Sequence, residues 1–251
     1  METKLKYLSK NPISQLASKA AVFGLLLFWF YQVETLTAIF FLLLVTGILY
    51  FRSLHNALVF LPSLVILLII SLGTTVIITT TSSSFLLAAF LSFLFFTILG
   101  LKDLVLIKRK SWYVFLNFSL FYLAFINFFL IDKSSLFVGK WLIFLVLAFS
   151  LLRELLMVLI APSKENRVKN NRLLAASLVM TMIIGQLLWL VSWLPISFLS
   201  SANLMILIVF LFSDLSLHHF WGKLRKKIIF KDLALFLIFS LVIFLTSSWL
   251  L

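Results

Sequence analysis

Nine long apolar runs divide this sequence, and only short polar segments separate them. The runs cover residues 14–33, 36–52, 57–80, 85–107, 112–131, 136–160, 173–194, 198–220 and 232–251. An α-helix needs about 20 apolar residues to cross the hydrocarbon core of a bilayer. Each run has nearly that length or more, so the pattern predicts an all-α, polytopic bundle of transmembrane helices.

The composition indicates lipid rather than water as the solvent of this chain. Hydrophobic residues make up 63% and charged residues 12% of the sequence, whereas soluble domains are about 45–50% apolar and about 25% charged. A membrane β-barrel requires alternating apolar and polar residues, and these runs do not alternate. We therefore predict one integral membrane domain over residues 1–251 and no soluble domain, because the loops are too short to bury a core of their own.

The basic residues predict the orientation of the chain. All of the 21 Lys and Arg residues except Lys133 and Lys140 lie on one side of the predicted helices. By the positive-inside rule that side is cytoplasmic, with the N-terminus inside and the C-terminus outside. The predicted location is a cell membrane, with a bacterial inner membrane favoured. The basic start lacks a small-residue cleavage site after it, so no cleavable signal peptide is expected.

The net charge of +13 is also informative about partners. In a soluble protein it would suggest nucleic acid, but here the cations sit in short loops between apolar runs. The lipid bilayer, and anionic lipid headgroups on the cytoplasmic side in particular, are the expected partners, with other membrane proteins as further candidates and no nucleic acid.

Similar short segments end the even-numbered runs. They contain Arg52, Lys102-Asp103, Arg153-Glu154 and Ser213-Asp214, each with a leucine within three residues before it and within two residues after it. One interpretation is a helical hairpin repeated four times, plus a ninth helix. The other is that any helix ending in the cytoplasm carries a charge there and that leucine is common throughout.

A charged cluster on the cytoplasmic side is the first candidate site. Its members are Asp103, Arg153, Glu154, Asp214 and His218. Ionisable residues inside a membrane are costly, so they often mark functional sites. Asp214 and His218 are four residues apart and share a helix face, while Glu154 is expected to face protein rather than lipid. The alternative is a set of interhelical ion pairs and side chains reaching toward the headgroups.

A hydroxyl-rich segment of the third run is the second candidate site, with Ser71, Gly73, Thr74 and Thr75. Transporters often bind substrate at broken helices whose backbone groups are exposed. The alternative is that the hydroxyls donate to carbonyl groups of their own helix. Isolated amides within the apolar runs, such as Asn117 and Gln186, are expected to bridge helices.

Three functional classes remain open. The favoured one is a transporter of a small solute or lipid, or the membrane subunit of one; the others are a membrane assembly scaffold and an interfacial enzyme acting on lipid-linked substrates. No metal or cofactor site is expected, because the chain has no cysteine and neither an HExxH nor an HxxHH motif. An enzymatic role is therefore the less favoured interpretation.

The predicted topology can be tested with reporter fusions after residues 34, 110, 133, 170 and 251. Alkaline phosphatase is active only outside the cytoplasm, so we expect activity from the fusions at 34, 133 and 251. An active phosphatase at 110 or 170 would reverse the assignment.

Overall fold

The computed structural model describes residues 12–33, 35–52, 57–77, 81–106, 108–130, 137–160 and 170–247. These residues form nine α-helices and no β-strand, which confirms the predicted all-α class. The helices are α1 (Pro12–Val33), α2 (Leu36–Phe51), α3 (Leu61–Gly73), α4 (Thr81–Lys102), α5 (Arg109–Leu130), α6 (Phe137–Ile160), α7 (Asn170–Ser192), α8 (Phe198–Phe220) and α9 (Lys226–Thr246). A 3-10 turn, Thr74–Ile77, extends α3.

Seven of the described helices, α1 and α4 to α9, are long and apolar enough to cross a membrane. The chain is therefore a multi-pass membrane protein. Helix α2 has 16 residues and rises about 24 Å, a few Å less than the hydrocarbon core. Helix α3 has 13 residues and gains length from the 3-10 turn that follows it. That these two helices also cross stays a prediction.

The start of α9 differs from the sequence prediction. The helix begins at Lys226, whereas the apolar run was predicted to begin at residue 232. Lysine stems can lie along an apolar surface while their amines reach water. Lys226, Lys227 and Lys231 therefore do not end the helix, and Asp232 lies inside α9 rather than at its first turn.

The chain divides into two compact units, Met1–Leu116 and Asn117–Leu251, called unit 1 and unit 2 below. In unit 1, α1 packs most extensively against α4, and α2 and α3 pack against α1 and α4 respectively. In unit 2, α6 packs most extensively against α7, and α8 contacts α6, α7 and α9. The most extensive contact joins α1 to α4 in unit 1, whereas in unit 2 it joins the consecutive helices α6 and α7. The fourfold hairpin repeat stays a prediction.

Small residues allow α1 and α4 to approach closely. Ala20 and Gly24 on α1 face Ala88 and Ser92 on α4, and the Ser92 hydroxyl donates to the Ala20 carbonyl oxygen at 2.6 Å. A Cβ atom on Gly24 would lie 2.9 Å from the Ser92 Cβ atom. Membrane helices commonly associate through such pairs of small residues four positions apart.

Aromatic rings and one amide hold α5 to α6 in unit 2. The ring centroids of Phe125 and Phe144 lie 5.0 Å apart, and those of Phe128 and Phe144 lie 5.6 Å apart. The Asn117 side-chain amide donates to the Leu151 carbonyl oxygen at 3.1 Å, so this amide bridges helices as predicted. The same prediction is wrong for Gln186, whose side chain is exposed on α7.

The α1–α4 contact predicts opposite effects of adding a methyl group to two glycines. Gly24→Ala should lower the free energy of unfolding by about 1–3 kcal/mol, because the new Cβ overlaps Ser92. Gly47→Ala on α2 meets no atom within 4 Å and should be neutral or stabilising by up to about 1 kcal/mol. Thermal unfolding in detergent measures both, and equal melting temperatures would contradict the close contact.

Candidate functional site

The predicted charged residues fall into separate groups. Asp103 belongs to unit 1, where it lines a polar cleft, and Arg153, Glu154, Asp214 and His218 belong to unit 2. Each group is described within its own unit.

A polar cleft of 460 Å³ lies at one end of unit 1. Gln15, Ser18 and Lys19 come from the first turns of α1, while Arg52 and Asp103 directly follow α2 and α4. The beginning of α1 thus lies beside the ends of α2 and α4, as expected for helices that alternate in direction. The cleft gathers two cations, one carboxylate and two neutral polar side chains.

Lys102 anchors the wall of this cleft. Its side chain is fully buried, and its ammonium donates a hydrogen bond to the Tyr50 carbonyl oxygen at the end of α2. The same nitrogen lies 4.6 Å from the Tyr50 ring centroid and 3.7 Å from the Asp103 Oδ1 atom. A lysine near a helix C-terminus satisfies carbonyl groups that have no partner within the helix. Lys102 therefore joins α4 to α2 and holds the Asp103 carboxylate at the cleft.

The turn after α4 fixes the position of Asp103. The Val105 amide donates to the Gly100 carbonyl oxygen at 3.1 Å, and Leu104 has a left-handed backbone with φ of 61°. This is the pattern of a Schellman cap, which usually has glycine at the left-handed position. The left-handed conformation costs a non-glycine residue about 1–2 kcal/mol. The surrounding contacts, including Leu106 against Gly100, thus hold a strained turn beside the cleft.

The hydroxyl-rich segment of α3 uses its polar groups within unit 1. The hydroxyls of Ser71, Thr74 and Thr75 donate to the carbonyl oxygens of residues three positions earlier, at 2.8, 3.0 and 3.1 Å respectively. Tyr31 on α1 hydrogen-bonds to the Thr74 hydroxyl at 2.8 Å and donates to the Ser71 carbonyl oxygen at 3.1 Å. Gly73 is the last residue of α3, where the helix changes to the 3-10 turn. These contacts stabilise the helix and its packing on α1.

Helix α6 separates the environments of Arg153 and Glu154. Glu154 is only 3% exposed, so its side chain faces protein as expected, whereas Arg153 is half-buried. Neighbouring residues on a helix point about 100° apart, which accounts for the difference. Neither residue is among the electrostatic neighbours of Asp214, which are His218, Asp232 and Lys231.

Asp214 and His218 lie together on α8. The His218 Nδ1 atom is 3.4 Å from the Asp214 Oδ2 atom and 2.9 Å from the Asp214 carbonyl oxygen. Asp232 on α9 is an electrostatic neighbour of Asp214. Asp232 is 5% exposed. The structure thus adds Asp232 to the predicted Asp214–His218 pair.

Sequence reasoning missed Asp232 because it placed the start of the ninth helix at that residue. A carboxylate at a first turn would face the headgroup region and need no partner. The apolar residues Ile228 to Phe230, which precede it, were the available signal that the helix begins earlier.

A further cleft of 590 Å³ in unit 2 lies between the start of α7 and the end of α8, and its polar lining residues are Arg172, Ser216 and His219. Neither this cleft nor the polar cleft of unit 1 is lined by Ser71, Gly73, Thr74 or Thr75. Among the residues that the structure describes, no three His, Cys, Asp or Glu side chains converge in a way that would hold a metal ion.

No protein-family profile matches the chain, and no curated protein or solved structure shows significant similarity to it.

The anchoring role of Lys102 predicts a large difference between two lysine substitutions. Lys102→Met removes the donor to Tyr50 and leaves Asp103 without this cation; since Asp103 is partly exposed, we expect a loss of about 1–3 kcal/mol. Lys110→Met removes the same charge from an exposed position on α5 and should change stability by less than about 0.5 kcal/mol. Equal unfolding temperatures in detergent would show that Lys102 is not an anchor.

Proposed function

We propose that this multi-pass membrane protein is a transporter, or the membrane subunit of one, for a lipid or small solute that carries a phosphate group. The polar cleft of unit 1 is the observation that carries the proposal. It would take the phosphate from the cytoplasmic side of the membrane.

The cleft has the chemistry that a phosphate requires. Lys19 supplies a point charge and Arg52 a planar guanidinium that can bind two phosphate oxygens at once. Gln15 and Ser18 add neutral polar side chains beside them, and the Ser18 hydroxyl donates to the Gln15 carbonyl oxygen at 2.9 Å. The Lys102 ammonium lies 3.7 Å from the Asp103 carboxylate and balances its charge. Lys19 and Arg52 therefore give the cleft a net positive charge toward a ligand. Basic pockets between transmembrane helices are known to bind anionic lipid headgroups.

The short length of α2 favours a lipid substrate. Arg52 follows directly after this helix, whose rise of about 24 Å is less than the roughly 30 Å of the hydrocarbon core. A bilayer adapts to a short helix by becoming locally thinner. A phosphate held by Arg52 would then lie deeper than the surrounding headgroups, and the path to the other leaflet would be shorter.

The proposed orientation follows from the same residues. The first turns of α1 and the ends of α2 and α4 meet at the cleft, and these segments belong to the basic side of the sequence. By the positive-inside rule this side is cytoplasmic, which places the N-terminus inside and the C-terminus outside a cell membrane, with a bacterial inner membrane favoured.

A membrane scaffold is the second candidate function, and α9 is the observation that favours it. Asp232 is the one buried residue of this helix among those described, and large apolar side chains such as Phe230, Leu237 and Leu245 are exposed. Such a surface suits either lipid or the helix of a partner membrane protein.

A lipid-translocation assay tests the transport proposal. Proteoliposomes would contain phosphatidylglycerol with a fluorescent acyl chain, and dithionite would report the fraction that reaches the outer leaflet. We expect Lys19→Gln/Arg52→Gln to lower lipid binding in native mass spectrometry about tenfold, the equivalent of about 1.4 kcal/mol, and to slow translocation in parallel.

The matched control is Lys226→Gln/Lys227→Gln, which removes the same charge from exposed positions on α9. Wild-type protein that binds but does not translocate the lipid would favour the scaffold. Equal binding by the two double variants would show that the cleft does not take the phosphate.

A further inference from the structure

The cleft of 590 Å³ in unit 2 opens between the start of α7 and the end of α8. Arg172 lies in the first turn of α7, and His219 lies one residue before the end of α8 at Phe220. Both helices are long and apolar enough to cross a membrane, so their paired ends should lie near a membrane surface. The exposed Trp221, which directly follows α8, is of a residue type that favours the interface between lipid and water.

The polar end of this cleft offers donors for an anion. The side chains of Arg172 and His219 are exposed, and neither forms a hydrogen bond or an ion pair with another described residue. Ser216 already uses its proton, since its hydroxyl donates to the Met180 sulfur at 3.2 Å. A guanidinium can bind two phosphate oxygens at once, and an imidazole N–H can donate to a third. No carboxylate is among the described residues that line the cleft, so none offsets the charge of Arg172 there.

The rest of the cleft is apolar and follows α8 away from its end. The apolar lining side chains are Ala175, Ala176, Phe212, Leu215, Phe220 and Leu224. Phe212 lies seven residues before His219, which corresponds to about 10 Å along the helix axis. The two alanines are small and leave space between α7 and α8, on a side where Ala175 is exposed. A cationic end joined to an apolar length matches a phosphate headgroup with its acyl chain better than a free anion.

The charges around the cleft also favour an anionic headgroup. Leu224 lines the cleft, and Lys223 and Arg225 flank it in the segment between α8 and α9. Lys226 and Lys227 follow at the start of α9, and all four basic side chains are exposed. Clusters of basic residues beside membrane helices attract anionic lipids. This cluster therefore raises the local concentration of anionic lipid at the mouth of the cleft.

We propose that this cleft binds one anionic phospholipid, which stays on unit 2 and is not transported. Arg172 and His219 bind its phosphate, and one acyl chain lies against Ala175 and Phe212. Because the lipid contacts both helices, it holds the start of α7 against the end of α8. The clefts of the two units share no residue, so this proposal does not rest on phosphate binding in unit 1.

Native mass spectrometry of the full-length protein tests this site by counting the lipids that it retains. The Lys19→Gln/Arg52→Gln background removes the cations of unit 1, so a failure here is distinct from a failure of the transport proposal. We expect phosphatidylglycerol to bind more tightly than phosphatidylcholine, whose choline group cancels the phosphate charge. Adding Arg172→Gln/His219→Gln should lower phosphatidylglycerol binding about tenfold. The control, Lys110→Gln, removes one cation from an exposed position that lines neither cleft and should leave binding unchanged.

A further variant separates a lipid from a free anion. Ala175→Leu keeps every charge and fills part of the apolar length, and the exposed position tolerates the larger side chain. It should lower phosphatidylglycerol binding about fourfold, the equivalent of one buried CH₂ group. Inorganic phosphate and glycerol 3-phosphate should not displace the lipid. Displacement by either soluble anion would identify a site for free phosphate and overturn the lipid proposal.

Photo-crosslinking of the wild type locates the lipid without any variant. Phosphatidylglycerol with a diazirine on its acyl chain should label the segment 212–216 of α8 more heavily than the exposed residues Leu237 and Leu245 of α9. Equal labelling of α8 and α9 would indicate lipid that surrounds any membrane helix, and it would overturn the proposal. Equal binding of the two phospholipids would also overturn it, as would a folded Arg172→Gln/His219→Gln variant that binds as the control does.

Discussion

Backbone polar groups inside a bilayer must find their partners within the protein, because lipid offers none. Helices meet this requirement along their length, but they leave carbonyl groups without partners at their ends and where an α-helix passes into a 3-10 turn. In this chain polar side chains cover such carbonyls: Lys102 covers that of Tyr50, and Tyr31 and Thr74 both donate to that of Ser71. A polar residue used in this way does not need a ligand to account for it. The functional candidates are therefore polar groups without such a role, such as those that line the unit 1 cleft.

The helical class and the approximate positions of the nine helices could be predicted because apolar length is a local property of the sequence. The end of a helix is less local, since lysine stems continue an apolar surface, and for that reason the start of α9 was misplaced. The contact of Ala20 and Gly24 with Ala88 and Ser92 escaped prediction because no pair of glycines marks it. Of the sites, the Asp214–His218 pair was visible from its spacing of four residues. The bond between Lys102 and Tyr50 joins residues 52 positions apart and depends on how α2 and α4 pack.

The two units place different chemistry near the ends of their helices. Unit 1 combines Lys19 and Arg52 with a carboxylate that Lys102 holds, which suits an anion. Unit 2 places the Asp214 carboxylate beside His218 on α8 and buries Asp232 on α9. The two units therefore offer different polar groups near their helix ends.

Helix α9 has little buried surface of its own. Asp232 is the one buried side chain among the described residues of that helix, so little apolar packing fixes α9 against α8. Leucine and phenylalanine side chains contribute little preference for protein over lipid, since both surroundings are apolar. The apolar residues of α9 therefore keep it in the membrane without fixing which face it turns toward α8.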